Sequence, residues 1–151
     1  MKCNVDAALF EAQRCFGIGM CIQNSRGHFL KAATCWHEGN PPPQEAEAIG
    51  FCDAISWLGR LGLSKVLIEL DCKLVVDSIV DRNTKQAEFG SIISDCQALL
   101  QQHPNFKISF ARRQANFVAH TLAGASRLHA RHQQFDLIPS CIETLLRSEI
   151  I

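Results

Sequence analysis

The sequence lacks several features that would assign it to a membrane-bound, secreted or strongly basic class. No apolar run approaches the ~18 residues that a membrane-spanning helix needs. The first residues lack the charged-then-apolar layout of a signal peptide. Lys plus Arg and Asp plus Glu both total 15, so the chain lacks the basic excess typical of non-specific nucleic-acid binding. We expect a globular chain with no membrane partner, long enough at 151 residues to bury one core.

The sequence also has no Cys-x-x-Cys pair, although it contains 8 cysteines. The cysteines are scattered singly, and none forms a Cys/His cluster at zinc spacing. Most fall within apolar strand or helix patterns, where a free cysteine packs as a small hydrophobic residue. We therefore predict free thiols, no zinc site, and an intracellular, reducing compartment, which means the nucleus or the cytoplasm.

Alternating apolar residues predict an antiparallel meander in the first third of the chain. Residues 3–9 and 15–23 alternate, a turn falls at 24–27, and "HFLKAATCW" continues as a third strand. The loop "HEGNPPP" then interrupts the pattern, because consecutive prolines cannot continue a sheet. A helical period takes over and predicts a helix from about residue 44 to residue 60.

The second half alternates between strands and helices. Residues 66–70 are apolar on both faces except at Glu69, which predicts a central strand covered by helices. Further elements follow: helices at about 72–82, 89–102 and 114–130, a polar linker at 81–90, and a fifth strand at 106–112. This order predicts an α/β fold with a mixed sheet. We assign residues 1–131 to the domain and 132–151 to a C-terminal tail that adds a short helix.

Five carboxylates could belong to a functional site, and each also has a simpler explanation. Asp6 lies in the middle of a strand, where aspartate is depleted, which favours a functional role. The simpler explanation is an exposed residue of an edge strand. Glu45 and Glu47 begin the long helix, where acids favour the helix dipole, and spacing does not choose between them. Asp71 follows the fourth strand as either an N-cap or a metal ligand. Glu69 either joins Asp71 as a companion ligand in the same site or is an ion-pair partner of a basic residue.

The positions of these acids predict a metal site. A carboxylate in mid-strand, one at a helix start and one at a strand end would converge if the first and fourth strands were neighbours. Oxygen ligands without sulfur suit Mg²⁺, with Mn²⁺ as the alternative. Paired ions about 3.5–4 Å apart are the usual device for in-line phosphodiester hydrolysis. The residues thus predict a phosphodiesterase-type Mg²⁺ site.

Four stretches, spread over roughly residues 2–126, carry a family resemblance. They are "KCNVDAA", "GIGMCIQNSRGHFL", "EAEAIGFCDAISWLGRLGLSKVLIELDCKLVVDSI" and "ISFARRQANFVAHTLAGAS". In order and spacing they resemble ribonuclease H domains, most closely the reverse-transcriptase-associated type common in plants and plant retroelements. The resemblance implies a ribonuclease H-like fold with a five-stranded mixed sheet, in the order 3-2-1-4-5, flanked by helices. It also implies endonucleolytic, Mg²⁺-dependent cleavage of the RNA strand of RNA–DNA hybrids.

The resemblance implies partners as well as an activity. It points to RNA–DNA hybrid or RNA as the partner, to a place within a larger polyprotein, and to a monomer for the isolated domain. Two other functions remain open. One is a non-catalytic nucleic-acid-binding module with the same fold, and the other is an interaction domain that docks through "NPPP" or the apolar tail.

By the same resemblance, Asp6, Glu47 and Asp71 are catalytic metal ligands, and the position of a fourth acid holds His120. The replacement leaves three negative charges, and imidazole is a poorer ligand for Mg²⁺ than for Mn²⁺. We place His120 in the catalytic set as an altered fourth ligand or as a general acid or base near neutral pH. The alternative is a surface histidine.

A basic segment supplies the predicted nucleic-acid contacts, which are Arg112, Arg113, Asn116 and Arg127. Such arginines would contact phosphates rather than read bases. The alternative is a solvated helix start. No lysine- or tryptophan-rich extension accompanies them, so we expect modest and salt-sensitive affinity.

Overall fold

A computed structural model of the chain describes residues 1–81 and 87–150. Within these residues six strands form one sheet: β1 Lys2–Phe10, β2 Cys15–Gln23, β3 Phe29–Glu38, β4 Val66–Leu70, β5 Phe106–Phe110 and β6 His132–Phe135. The helices of the same residues are α1 Pro43–Arg60, α2 Lys73–Val80, α3 Ala87–Gln101, α4 Phe117–Ala125 and α5 Glu143–Ile150. Most of the predicted linker at 81–90 lies outside the described residues or within α3.

The sheet is mixed, and its strand order is β5-β4-β1-β2-β3-β6. β1 pairs antiparallel with β2 and parallel with β4, so the first and fourth strands are neighbours. The predicted order 3-2-1-4-5 is therefore confirmed for the first five strands. The predicted strand count is wrong, because β6 pairs antiparallel with β3. Its sequence, "HQQF", is too polar to show the apolar alternation of a strand.

Helices cover both faces of the sheet. α1, α2 and α3 share one apolar core with one face of the central strands. α4 and α5 enclose a second core on the other face, with Leu122 and Leu146 fully buried in it. β1 is thus central and covered on both sides, and Asp6 is only 1% exposed. The interpretation of Asp6 as an exposed edge-strand residue is wrong.

The last predicted helix, residues 114–130, is shorter in the structure. α4 covers only its middle, and single turns of 3₁₀-helix flank it at Arg113–Asn116 and Ser126–Leu128. The predicted tail contains β6 and α5, so it adds both a strand and a helix. Among the described helices, none combines the length and apolarity needed to cross a membrane.

A disulfide joins Cys52 of α1 to Cys96 of α3. The prediction that every cysteine is a free thiol is wrong for this pair. The two residues are 44 positions apart in sequence and meet only because the helices pack face to face. Because of this bond, the cysteines no longer support the prediction of a reducing compartment.

Two glycines of β2 allow α4 to lie unusually close to the sheet. A Cβ on Gly19 would overlap backbone atoms of Ala119 and Ala123, and a Cβ on Gly17 would overlap the side chain of Ser126. Close packing of this kind cannot accommodate an added methyl group without a shift of the helix. These glycines therefore set the distance between α4 and β2.

Gly19→Ala is expected to destabilise the protein by about 1–3 kcal/mol, because the new methyl group must push α4 off β2. Gly124→Ala is the matched control, since a Cβ there meets nothing within 4 Å. It should be neutral or stabilising by up to about 1 kcal/mol, because alanine favours a helix over glycine. Urea unfolding measures both free energies, and equal stability of Gly19→Ala and wild type would contradict this packing.

Candidate active site

Three acidic side chains converge where the pairing of β1 with β4 ends. Val5 and Leu70 form the last pair of that ladder. Asp6 follows on β1, Asp71 directly follows β4, and Glu47 reaches over from the beginning of α1. One carboxylate oxygen from each lies within 4.8 Å of the others. The structure thus brings together the three acids that the sequence singles out as metal ligands.

Each of these carboxylates has a buried oxygen that accepts no hydrogen bond from the described residues. The atoms are Asp6 Oδ1, Glu47 Oε2 and Asp71 Oδ2. The other Glu47 oxygen, Oε1, accepts a 3.2 Å hydrogen bond from the backbone N–H of Ala7, just beyond the last β1–β4 pair. Buried oxygens without donors are costly, and an all-oxygen cluster of this kind fits a hard divalent cation.

The electrostatics of the cluster also favour a cation. Burial, then the neighbouring carboxyl of Asp6 and the charge of Asp71, raise the pKa of Glu47 well above its ordinary value. Burial and Asp6 likewise raise the pKa of Asp71, against the opposing effect of Arg113. Buried like charges resist joint ionisation unless a cation compensates them. The cluster therefore disfavours holding three negative charges without a metal ion.

Glu47→Gln is expected to stabilise the metal-free protein at neutral pH. Folding raises the pKa of Glu47 from its ordinary 4.5. Below pH 4.5 the carboxyl is protonated in both states, so the protein keeps its full free energy of unfolding. Above it the unfolded state releases the proton more readily, so the free energy of unfolding falls as the pH rises toward the folded-state pKa. Glutamine keeps an acceptor for Ala7 and has no such proton to lose. The gain should be about 1–3 kcal/mol near pH 7 and vanish near pH 4. Thermal unfolding in chelator at both pH values measures it, and an equal gain at both would contradict the account.

Asp71 does not cap α2. The helix begins at Lys73, its N-cap is Cys72, and no side chain bonds to the cap. The N-cap alternative for Asp71 is therefore wrong. Its side chain is 3% exposed, and Oδ2 lies 3.3 Å from Nε of Arg113. The arginine side chain is 66% exposed, so it places a positive charge at the rim of the acidic cluster.

Glu69 and Glu45 lie outside the cluster. Glu69 Oε1 accepts a 3.1 Å hydrogen bond from the side chain of Asn4 and lies 3.5 Å from Lys2 Nζ. Glu69 is thus an ion-pair partner and not a companion ligand of Asp71. Of the two glutamates that begin α1, the structure brings Glu47 to the other acids, which resolves the alternative that spacing left open.

Asn116 is fully buried, which corrects the expectation that it contacts nucleic acid. Its Nδ2 donates a 2.8 Å hydrogen bond to the carbonyl of Val5, and its Oδ1 accepts one of 2.9 Å from Asn4. These bonds tie the segment before α4 to β1. Asn116 therefore positions the two elements that carry Asp6 and His120. Residue type and spacing alone do not distinguish such a bridging asparagine from an exposed one.

His120 contacts Asp6 and not the centre of the cluster. Its Nδ1 lies 2.8 Å from Asp6 Oδ2, and its side chain is 38% exposed whereas that of Asp6 is fully buried. The Phe117 ring, with its centroid 5.7 Å away, packs beside the imidazole. When Nδ1 carries the proton, it donates to Asp6 Oδ2, so the histidine is bonded to one oxygen of Asp6 and leaves the buried Oδ1 without a hydrogen bond from the described residues.

Exposed arginines lie around this end of the sheet. Arg112 and Arg113 are exposed in the turn that follows β5, and Arg113 borders Asp71. The guanidinium of Arg127 lies 5.6 Å from the ring centroid of Phe10, the last residue of β1. Arg127 belongs to a 3₁₀ turn and not to a long helix as predicted. All three arginines are exposed, and Arg113 borders the acidic cluster.

A mixed sheet of this order, with helices on both faces and acids where β1 and β4 part, is that of a ribonuclease H-like α/β domain. The chain belongs to the reverse transcriptase-like family, whose model matches residues 4–126. A comparison with curated proteins finds no match. The ribonuclease H-like fold that the sequence predicts is confirmed by this family and by the structural comparisons.

Solved structures share the fold at low sequence identity. Ribonuclease H1 of the archaeon Halobacterium salinarum NRC-1 is 17% identical, with a TM-score of 0.76 over 85% of this chain and 98% of that one. LC11 ribonuclease H1, solved with an RNA/DNA hybrid, is 18% identical, with a TM-score of 0.73 over 83% and 94%. The protease-reverse transcriptase of prototype foamy virus is 16% identical, with a TM-score of 0.63 over 85% of this chain and 20% of that one.

Proposed function

We propose that this chain is a metal-dependent endonuclease that hydrolyses the RNA strand of RNA–DNA hybrids. The observation that carries the proposal is the convergence of the carboxylates of Asp6, Glu47 and Asp71, each with a buried oxygen that makes no hydrogen bond to the described residues. The oxygen of Asp71 has an ion-pair contact with Arg113 at 3.3 Å. Mg²⁺ is the proposed ion, with Mn²⁺ as a substitute, because the ligands are all oxygen atoms. The hybrid is the proposed substrate because a protein of the same fold has been solved with one.

The acidic residues and His120 would have different roles in hydrolysis. Asp6, Glu47 and Asp71 hold the divalent metal, which when bound supplies an activated water and charge stabilisation for in-line hydrolysis. His120 fixes Asp6 through the 2.8 Å contact of Nδ1, and its partly exposed ring is placed to exchange a proton with solvent. The products would be a 3′-hydroxyl and a 5′-phosphate.

Arg112, Arg113 and Arg127 are the proposed phosphate contacts of the same site. All three are exposed, and Arg113 borders Asp71. Arg112 precedes Arg113 in the chain, and Arg127 lies over Phe10 at the end of β1. The double variant Arg112→Ala/Arg113→Ala should bind hybrid about 10-fold more weakly. The slope of the logarithm of its binding constant against the logarithm of the salt concentration should become shallower by about one unit per lost phosphate contact. Fluorescence anisotropy in chelator measures this. Arg26→Ala is the control, since Arg26 lies in the β2–β3 turn at the other end of the sheet. Equal losses in both variants would contradict the assignment.

The second candidate function is a non-catalytic module that binds hybrid or RNA. The observation that favours it is His120 itself, which stands at the fourth acidic position and is bonded to Asp6. A neutral imidazole contributes no negative charge, so the site would hold Mg²⁺ less well than one with four acids.

One assay separates the two functions. A hybrid labelled on its RNA strand is incubated with the protein in Mg²⁺, in Mn²⁺ and in chelator, and binding is measured in parallel. Cleavage of RNA that depends on metal supports the nuclease. Binding without cleavage in either metal overturns the nuclease and supports the binding module. A folded protein that neither binds nor cleaves hybrid contradicts both functions.

A further inference from the structure

A second group of convergent side chains lies on another part of the sheet. Cys35 and His37 alternate onto one face of β3, and Asp53 faces them from α1. Their atoms Sγ, Nε2 and Oδ2 all lie within 4.8 Å of one another. The group shares no residue with the acidic cluster, and β2 separates β3 from β1.

The three distances are close to those of a tetrahedral metal site. Nε2 of His37 lies 2.7 Å from Oδ2 of Asp53, Sγ of Cys35 lies 3.4 Å from the same oxygen, and Sγ lies 3.9 Å from Nε2. With Zn–S near 2.3 Å and Zn–N or Zn–O near 2.0–2.1 Å, tetrahedral ligand atoms stand about 3.4–3.6 Å apart. Adjustments below about 1 Å would therefore bring all three atoms to zinc-ligand spacing.

The arrangement does not fit a nucleophilic triad. In such a triad the histidine uses one nitrogen for the nucleophile and the other for the carboxylate. Here Cys35 and Asp53 both approach the same atom, Nε2 of His37. As it stands, the carboxylate Oδ2 is positioned to accept from both the thiol and the imidazole. A single cation could replace both of these protons and bind all three atoms.

Charge and ligand type favour a borderline transition metal over Mg²⁺. A thiolate and a carboxylate together neutralise a divalent ion, and the imidazole adds a neutral nitrogen ligand. Sulfur and nitrogen ligands select Zn²⁺ and related ions, whereas Mg²⁺ requires oxygen. The Phe16 ring lies 5.1 Å from that of His37, which helps to fix the imidazole.

A cavity of about 320 Å³ adjoins the group and leaves room for a fourth ligand. Cys35 and Asp53 line it together with Arg60 and His132, so its wall is partly polar. His132 pairs directly with Cys35 across β3 and β6. A water molecule entering from this side could complete a tetrahedral site. Three protein ligands with an accessible fourth position are typical of catalytic zinc sites, whereas structural zinc sites have four protein ligands.

We propose that Cys35, His37 and Asp53 form a transition-metal site of the zinc type, separate from the carboxylate cluster. The site links β3 to α1, because two ligands come from the strand and one from the helix. It departs from the sequence prediction of no zinc site, because a Cys-x-His pair completed by a distant aspartate matches no zinc spacing. Binding requires a thiolate and an unprotonated Nε2, so the thiol proton goes to solvent and the proton on Nε2 goes to Nδ1 of the same ring or, from an imidazolium, to solvent.

Co²⁺ binding to the full chain tests the site, because a thiolate ligand gives Co²⁺ a charge-transfer absorption in the near ultraviolet. The variant Asp71→Asn serves as background so that the carboxylate cluster does not compete. We expect one equivalent of Co²⁺ with this absorption, displaced by Zn²⁺ and not by Mg²⁺. Cys35→Ser should abolish the absorption, and Cys141→Ser, which alters an exposed free cysteine, should keep it.

Asp53→Asn provides a second variant that keeps the side-chain shape. It should weaken Co²⁺ binding at least about 10-fold while the circular dichroism spectrum stays unchanged. A folded protein without the charge-transfer absorption, or an absorption of equal strength in Cys35→Ser, would overturn the proposal. An Asp53→Asn variant that binds Co²⁺ as tightly as its background would overturn the proposed ligand set.

Discussion

Replacing Asp71 by asparagine is expected to lower hybrid cleavage by about 10²–10³-fold or more and to leave the melting temperature unchanged or higher. The loss follows because Asp71 contributes one of the three buried oxygens proposed to hold the metal. Stability is kept because Asp71 makes no capping bond to α2. Removing a charge whose carboxyl has a raised pKa also relieves repulsion from Asp6.

Asp77→Asn is the matched control for this variant. Asp77 lies on α2, the helix that follows Asp71, is exposed, and pairs with Lys73 one turn away. Exposed pairs of this kind contribute little, so both activity and melting temperature should stay close to wild type. Cleavage rates and thermal unfolding of the three proteins decide the matter. An active Asp71→Asn protein would remove Asp71 from the metal site.

His120→Asp is expected to raise hybrid cleavage in Mg²⁺ by about 10-fold or more, and by less in Mn²⁺. The substitution places a fourth carboxylate next to Asp6 and removes the imidazole that bonds to its Oδ2. The cleavage rate should increase most in Mg²⁺, because Mg²⁺ binds mainly oxygen ligands, whereas Mn²⁺ also binds imidazole. In chelator the same variant should be less stable than wild type, because one more negative charge joins the cluster.

His120→Asn separates charge from proton transfer. Its amide can keep a hydrogen bond to Asp6 but cannot exchange a proton near neutral pH. If His120 serves as a general acid or base, this variant should lose activity, and the pH–rate profile should lose one of its arms. Activity unchanged in His120→Asn and lowered in His120→Asp would contradict the view that the histidine limits the site.

The order of the first five strands was implied by the family resemblance, and the strands themselves could be predicted because their apolar residues alternate or form a short continuous run. β6 could not, because an edge strand of polar residues buries little and leaves no such pattern. The alternation of β1 was itself misleading. Asn4 and Asp6 are buried beneath α4, and their polarity reflects a hydrogen-bonded site and not exposure to water.

The site was predictable only as far as its acids. Asp6 and Asp71 are recognisable from their places within β1 and directly after β4, whereas the family resemblance was needed to separate Glu47 from Glu45. The role of Asn116 was not predictable, since it depends on a partner 111 residues away in the chain. The Cys52–Cys96 bond and the approach of Asp53 to Cys35 share this property. Contacts between distant segments require the packing of α1 against the sheet and against α3, which no local pattern encodes.

A crystal soaked with Mn²⁺ and measured at the manganese absorption edge would show whether the acidic cluster holds a metal ion. We expect anomalous density among the carboxylates of Asp6, Glu47 and Asp71, and none there in Asp71→Asn crystals treated in the same way. Well-ordered carboxylates without anomalous density between them, at Mn²⁺ concentrations that saturate related sites, would contradict the claim that this cluster holds a metal.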